Sequence, residues 1–162
     1  MTARSGRDVS DFIVHHTAGP VAQTPLEIDA EHRRIGDAMI AYTWLIDPKG
    51  VVYEGRPAGY VPAAAFGRNT QSLDVSLIGN FEKGDPGYTG PPTKLQIEAL
   101  IELGVYAHKL FPTIVRTIGH RDVAPMFYPK NEEDYSTACP GSELYSQLPA
   151  IRKAIAAKVN NR

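Results

Sequence analysis

Cysteine is nearly absent: the 162-residue chain has one, Cys139. A lone thiol cannot close an internal disulfide, so Cys139 is a packing residue, a nucleophile or a metal ligand. Charge of one sign is missing as well. Seventeen basic and 18 acidic residues leave a net charge of −1, which gives no basic footprint for nucleic acid or an anionic membrane. No apolar run approaches the roughly 20 residues that cross a bilayer, so membrane insertion is not expected. The amino terminus, Met1-Thr2-Ala3-Arg4-Ser5-Gly6-Arg7, is polar and leads directly into a strand-like segment, unlike a secretory signal. There is no internal repeat and no low-complexity linker. The length fits a single domain spanning residues 1–162, large enough to bury about two-thirds of its unfolded surface.

What the chain does have is a series of short apolar segments whose ends carry histidine. Asp11-Phe12-Ile13-Val14-His15 ends at two histidines and the turn residues Thr17-Ala18-Gly19-Pro20. It reads as a buried strand from which His15 and His16 leave on opposite faces, so only one of them faces a given site. Thr24-Pro25-Leu26-Glu27 combines an N-cap, a first-turn proline and a capping box. It predicts a helix to about Arg34, stopped by Gly36. His32 falls on that helix among Glu31, Arg33 and Arg34, as part of a solvated face.

Ile40 to Ile46 and Val51 to Gly55 flank Asp47-Pro48-Lys49-Gly50, which has type I turn chemistry and predicts a hairpin. Tyr42 shares a face with Trp44 and, taken alone, is a packing residue. Gly55 to Thr70 reads as a surface loop. Leu73 to Gly79 is another buried strand and leads into Asn80-Phe81; Lys83 to Pro92 is a loop. Thr93-Lys94-Leu95-Gln96 opens the longest helix with a second capping box. Its positions Leu95, Ala99, Leu100, Leu103, Tyr106, Ala107 and Leu110 follow helical spacing. His108 lies near its end, where a cation suits the dipole. Thr113 to Ile118 is a last strand that delivers His120 just past its end. Ser142 can cap a turn, and Pro149 can begin a final helix to about Val159. These elements predict an α/β domain with a central β-sheet flanked by helices, mixed rather than parallel because of the hairpin.

Cys139 lies in Ala138-Cys-Pro-Gly141, a segment without strand or helix pattern, where a core residue is less expected. With His15 and His120 it makes a His-His-Cys set. Zinc takes neutral imidazole and thiolate in tetrahedral geometry, and three protein ligands leave the fourth place to water, the form of a catalytic site. The nucleophile reading stands beside it, although no helix start or basic neighbour in the sequence would lower the thiol pKa.

Five stretches occur in one order: Phe12-Ile-Val-His-His-Thr-Ala-Gly19, Ala41 through Pro57, Val75-Ser-Leu-Ile-Gly-Asn-Phe81, Ile118-Gly-His-Arg-Asp-Val-Ala-Pro125 and Ala138-Cys-Pro-Gly141. Together they resemble the type 2 N-acetylmuramoyl-L-alanine amidases, the family of T7-type phage lysozymes, bacterial wall amidases and peptidoglycan recognition proteins. The resemblance covers a core of about residues 10–158.

It implies the amidase type 2 fold and a Zn2+ ion held by His15, His120 and Cys139. It also implies hydrolysis of the amide between N-acetylmuramic acid and L-alanine in peptidoglycan. Recognition relatives that bind the wall without cutting it commonly lack the cysteine. Tyr42 falls where the family carries a catalytic tyrosine beside the zinc-bound water. Thr137 occupies a position that is lysine in T7-like members and threonine in some amidases. His16 lies outside the ligand pattern. Departures are Thr43 and Ala64, where histidines are common, and Ser76, where one branch has glutamate; the general base is thereby left open. Phe66, Arg68 and Asn69 lie in the loop that would border the groove, and Asn80 follows a strand; loop structure is the alternative for each, and Arg68 and Asn80 are taken as the substrate contacts.

The resemblance further implies a bacteriophage or prophage endolysin, made in the cytoplasm without a signal peptide and acting at the bacterial cell wall after release. The expected partner is peptidoglycan, with no nucleic acid, and the expected state is a monomer. A non-catalytic peptidoglycan-binding module using the same groove is the alternative, and a structural zinc supporting a protein-interaction surface is another.

Overall fold

Asp11–His16 (β1) is buried along its whole length, as an apolar run with strands on both sides must be. The computed structural model describes residues 1–161. After β1 come the helix Pro25–Arg34 (α1), the hairpin strands Trp44–Ile46 (β2) and Val52–Glu54 (β3), and the strand Ser72–Leu77 (β4). Helix Lys94–Leu110 (α2), strand Arg116–Gly119 (β5), short helices Val123–Phe127 (α3) and Glu132–Tyr135 (α4), and helix Ser142–Asn160 (α5) complete the chain. The sheet order is β3-β2-β4-β1-β5. β2, β4, β1 and β5 run parallel, and β3 pairs antiparallel with β2. The expected single-domain mixed α/β sheet is what the chain forms. No helix among the described residues is long and apolar enough to cross a membrane.

Local chemistry accounts for the element starts. Thr24 accepts from the Glu27 amide while the Glu27 carboxylate accepts from the Thr24 amide, and Thr93 and Gln96 repeat the arrangement. Asp47 closes the hairpin turn through its carbonyl, which accepts from Gly50 N at 2.9 Å. Its Oδ1 takes the Lys49 and Val51 amides.

The sheet divides the core by strand alternation. Phe12, Val14, Trp44, Ile46, Leu73, Val75 and Leu77 pack with α2 and α5 on one face. Ile13 and Ile118 lie on the other with Ala65 and Val123, and Leu45 there joins Ile28 of α1. Gly104 lets α2 meet α5 closely, since a Cβ there would come within 2.4 Å of Ile155 Cδ1.

Three boundaries differ from the sequence expectation. β2 and β5 begin at Trp44 and Arg116, later than their apolar patterns suggest. The final helix begins at Ser142, with Pro149 inside it, whereas the sequence places its start at Pro149. An internal proline costs about 3 kcal/mol. Leu144 and Leu148 are fully buried, and each contributes about 1.5–3 kcal/mol, which offsets that cost. Pro149 itself stays on the exposed side.

Candidate metal centre

In a sheet with parallel inner strands, loops beyond the carboxyl ends of the strands collect on one edge. β1 and β5 are neighbours in register, with Val14 opposite Gly119. The next residues, His15 and His120, therefore emerge side by side, their rings 4.6 Å apart. The loop before α5 brings Cys139 to them. Its Sγ lies 3.6 Å from His15 Nδ1, and the ligand atoms of His15, His120 and Cys139 all fall within 4.8 Å of one another. Arg121 pins this loop: its amide donates to Cys139 O at 2.8 Å, and its guanidinium reaches Ala138 O and Glu82. Asp122 holds the turn after β5 by accepting from Gly119 N, Tyr145 Oη and Arg152.

The donor set fits zinc. Tetrahedral zinc with one imidazole and one thiolate sets a nitrogen–sulfur separation of roughly 3.6 Å, the value found between His15 and Cys139. The far nitrogen of His15 is fixed too. Nε2 lies 2.7 Å from Asp74 Oδ1, with both side chains buried. With a metal bound, a carboxylate accepting from one imidazole nitrogen leaves the other nitrogen's lone pair to the ion, the usual support for a metal-bound histidine. Asp74 accepts in turn from Ser72 Oγ at 2.5 Å, and the Arg4 guanidinium binds the Ser72, Ala58 and Asn69 carbonyls nearby. The sequence signal for Asp74 is a carboxylate inside a strand that is otherwise apolar and small, because a buried charge demands partners.

These contacts set the ionisation of the cluster. Burial lowers the His15 pKa, but the Cys139 sulfur and Asp74 outweigh it and raise it to about 9. Burial and then the charge on His15 hold His16 down at about 4 and His120 at about 3. Burial and then the Cys139 sulfur push Tyr42 above its ordinary value.

Tyr42 sits against His15 with ring centroids 5.3 Å apart. Thr137 Oγ1 accepts from Cys139 N at 3.1 Å. Both line a cavity of about 340 Å³ with the three donors, Asn80 and Ala64. Asn80 braces its own turn: its amide nitrogen donates to Asp85 Oδ1 and its amide oxygen accepts from Glu82 N. His16 faces the other side of the sheet, accepts from Phe81 N and packs on the Phe81 ring. Ser76 pairs with His15 across the sheet and is fully buried.

Arg68 lies apart from this cavity. Its guanidinium pairs with buried Asp11 and stacks 4.0 Å over Phe127. Asn69 turns its oxygen to the Ala64 and Ala65 amides. His32 is not a solvated-face residue: its Nδ1 accepts from Ala41 N at 2.9 Å, and its ring lies 5.5 Å from that of Tyr42. His15 Nδ1 is the basic neighbour of the thiol that the sequence order conceals. A separate cavity of about 650 Å³ between β5, α2 and α5 contains none of the three donors.

Comparison with known proteins agrees with this architecture. Residues 5–142 match the family model described as N-acetylmuramoyl-L-alanine amidase. Peptidoglycan-recognition protein SC2 of Drosophila melanogaster is 30% identical over 151 residues, covering 86% of this chain and 72% of that protein. Among solved structures, the N-acetylmuramoyl-L-alanine amidase LysC from Clostridium intestinale superposes with a TM-score of 0.74 at 28% identity, over 98% of this chain and 91% of that one. Drosophila peptidoglycan recognition protein SD gives 0.72 at 25% identity, over 91% and 83%. With the family model spanning most of its length, and with its mixed sheet matching both kinds of relative, the chain belongs to the type 2 N-acetylmuramoyl-L-alanine amidase and peptidoglycan recognition protein family.

Proposed function

We propose that this protein is a zinc-dependent peptidoglycan amidase that cleaves the bond between the lactyl group of N-acetylmuramic acid and L-alanine. The observation that carries the reading is the convergence of His15, His120 and Cys139 at the end of β1 and β5, with Asp74 fixing His15 from behind. Zinc bound there supplies Lewis-acid polarisation of the scissile carbonyl and acidification of a water.

The chain's own groups supply the rest. Tyr42, whose pKa burial and the Cys139 sulfur hold above the ordinary phenol value, is protonated at neutral pH and acts as a donor that orients the attacking water or passes a proton to the departing amine. Attack places negative charge on the carbonyl oxygen. The Thr137 hydroxyl, whose oxygen already accepts from Cys139 N, keeps its proton free to donate to that oxygen. The carboxylates that line the cavity, Glu82 and Asp85, are held by Arg121 and Ser142 and by Asn80 and Gly87. They shape the wall. Action at the bacterial wall as a phage-type lysin belongs to the same proposal and follows the endolysin and amidase names among its structural neighbours.

The test is release of free amine from purified cell wall without new reducing sugar ends. Wall binding with bound zinc but no amine would instead mark a binding module, as the recognition-protein relatives' names suggest. A second reading has its own observation: Cys139, His15 and Asp74 stand in the order thiol, imidazole, carboxylate, as in a cysteine-nucleophile triad. His120 against the same pair favours the metal. Activity lost to a chelator and restored by zinc supports the metal reading. Activity that survives metal removal and falls to a thiol-alkylating reagent establishes the nucleophile.

A further inference from the structure

Beside the metal centre lies a second cavity of about 610 Å³, which shares Ala64, His120 and Thr137 with it. Phe66 and Tyr135 form one wall, stacked with ring centroids 5.5 Å apart at an interplanar angle of 16°. Tyr128 stacks behind Tyr135 at 4.5 Å. Phe66 is 73% exposed, so the ring face it does not give to Tyr135 meets solvent.

The loop that holds Phe66 there is not loose. Asn69 Oδ1 ties its Ala64 and Ala65 amides, and Tyr128 Oη donates to Gly67 O at 2.7 Å. Gly67 has φ +78°, and a Cβ there would collide with the Tyr128 hydroxyl, so the backbone at this point admits only glycine. A large apolar side chain is thus presented to water on a braced loop, facing a groove. Around the same cavity stand Asp134 and Ser136, polar groups suited to hydroxyls.

The scissile amide joins a sugar, through its lactyl group, to a peptide. A groove crossing the metal centre must therefore take sugar on one side and peptide on the other. Of the two cavities that meet at His120, the one walled by Phe66 presents an exposed aromatic face. Aromatic faces carry partial negative charge, which complements the C–H face of a pyranose, while its hydroxyls turn to polar neighbours. We infer that the Phe66–Tyr135 stack, backed by Tyr128, is a subsite for the N-acetylhexosamine glycan strand of the substrate. It sets affinity for wall rather than the rate of bond cleavage, and it deepens the amidase reading on which it rests.

The probe is a tetramer of N-acetylglucosamine, which has no scissile amide, titrated into the zinc-loaded protein with the aromatic side-chain resonances followed by NMR. The expected result is perturbation of the Phe66 and Tyr135 rings. Phe66→Ala weakens tetramer binding and raises KM on polymeric wall on the order of tenfold, with kcat retained, and Phe66→Tyr restores both. A tetramer that leaves these rings unperturbed, or binds Phe66→Ala as tightly as the unchanged protein, overturns the subsite even where amine release from wall is normal. Tetramer binding through Phe66 in a protein that releases no amine sustains the subsite and removes the amidase reading instead.

Discussion

Replacing Asp74 by Asn is the most informative single change, because it keeps the size of the buried group and removes its charge. In the native protein His15 Nε2 faces a carboxylate at 2.7 Å with both groups out of solvent. An asparagine can still accept that proton, but as a neutral acceptor it makes the opposite ring nitrogen a poorer metal ligand. Loss of such a supporting contact typically costs 10- to 100-fold in metal affinity, or about 1.4–2.8 kcal/mol. The zinc-free fold loses less. A charged hydrogen bond is exchanged for a neutral one, a difference of about 1 kcal/mol, partly offset by relief of a buried carboxylate.

Two measurements separate these effects. Competition with a chelating dye gives the zinc dissociation constant. Thermal unfolding at a fixed zinc excess gives the metal-linked stabilisation, which falls by the same free energy. For a domain of this size 1 kcal/mol corresponds to about 2–4 °C. The zinc-dependent part of the melting temperature should therefore shrink by roughly 3–11 °C, while the zinc-free melting temperature moves by only a few degrees. Unchanged zinc affinity in a variant whose metal-free form is clearly weakened would refute the reasoning and reduce Asp74 to a fold-stabilising group.

Other perturbations sort the remaining groups. Tyr42→Phe should lower kcat on the order of 10²–10³-fold with zinc content unchanged by metal analysis; a loss of zinc instead would make the phenol a structural prop. Asp11 is buried between Arg68 and Arg116, so Asp11→Ala should cost about 3–5 kcal/mol in denaturant unfolding while zinc affinity holds; equal stability would show the pair to be idle. Burial lowers the His108 pKa. The unfolded chain therefore takes up this proton first, and the contribution of a neutral His108 is present above about pH 6.5 and lost as pH falls through the lower folded value. Replacing His108 by Gln should flatten the stability profile in that window, and an unaltered profile counts against it.

Much of the fold could be read in the chain because its signals are local. The two capping boxes at Thr24 and Thr93 and the Asp47–Gly50 turn require only neighbours a few residues away. The start of α5 was not readable in this way. Pro149 breaks the local pattern, and the burial of Leu144 and Leu148 that outweighs it is a tertiary effect. At the centre, the bringing together of His15, His120 and Cys139 followed from motif order. Asp74 and the Phe66–Tyr135–Tyr128 stack did not, because each depends on which strands and loops become neighbours. Arg68 shows the same limit: the sequence places it in a loop, and its pairing with the buried Asp11 depends on tertiary neighbours.

The cysteine and the first histidine are separated by 124 positions, so an ion shared between them would stitch the opening strand to the approach of the closing helix. About three-quarters of the polypeptide would become one covalent-like ring, and the entropy of a chain so closed changes little with further length. Occupancy would then govern how readily the protein comes apart from its two ends, and proteolytic lifetime would report on it as directly as turnover does.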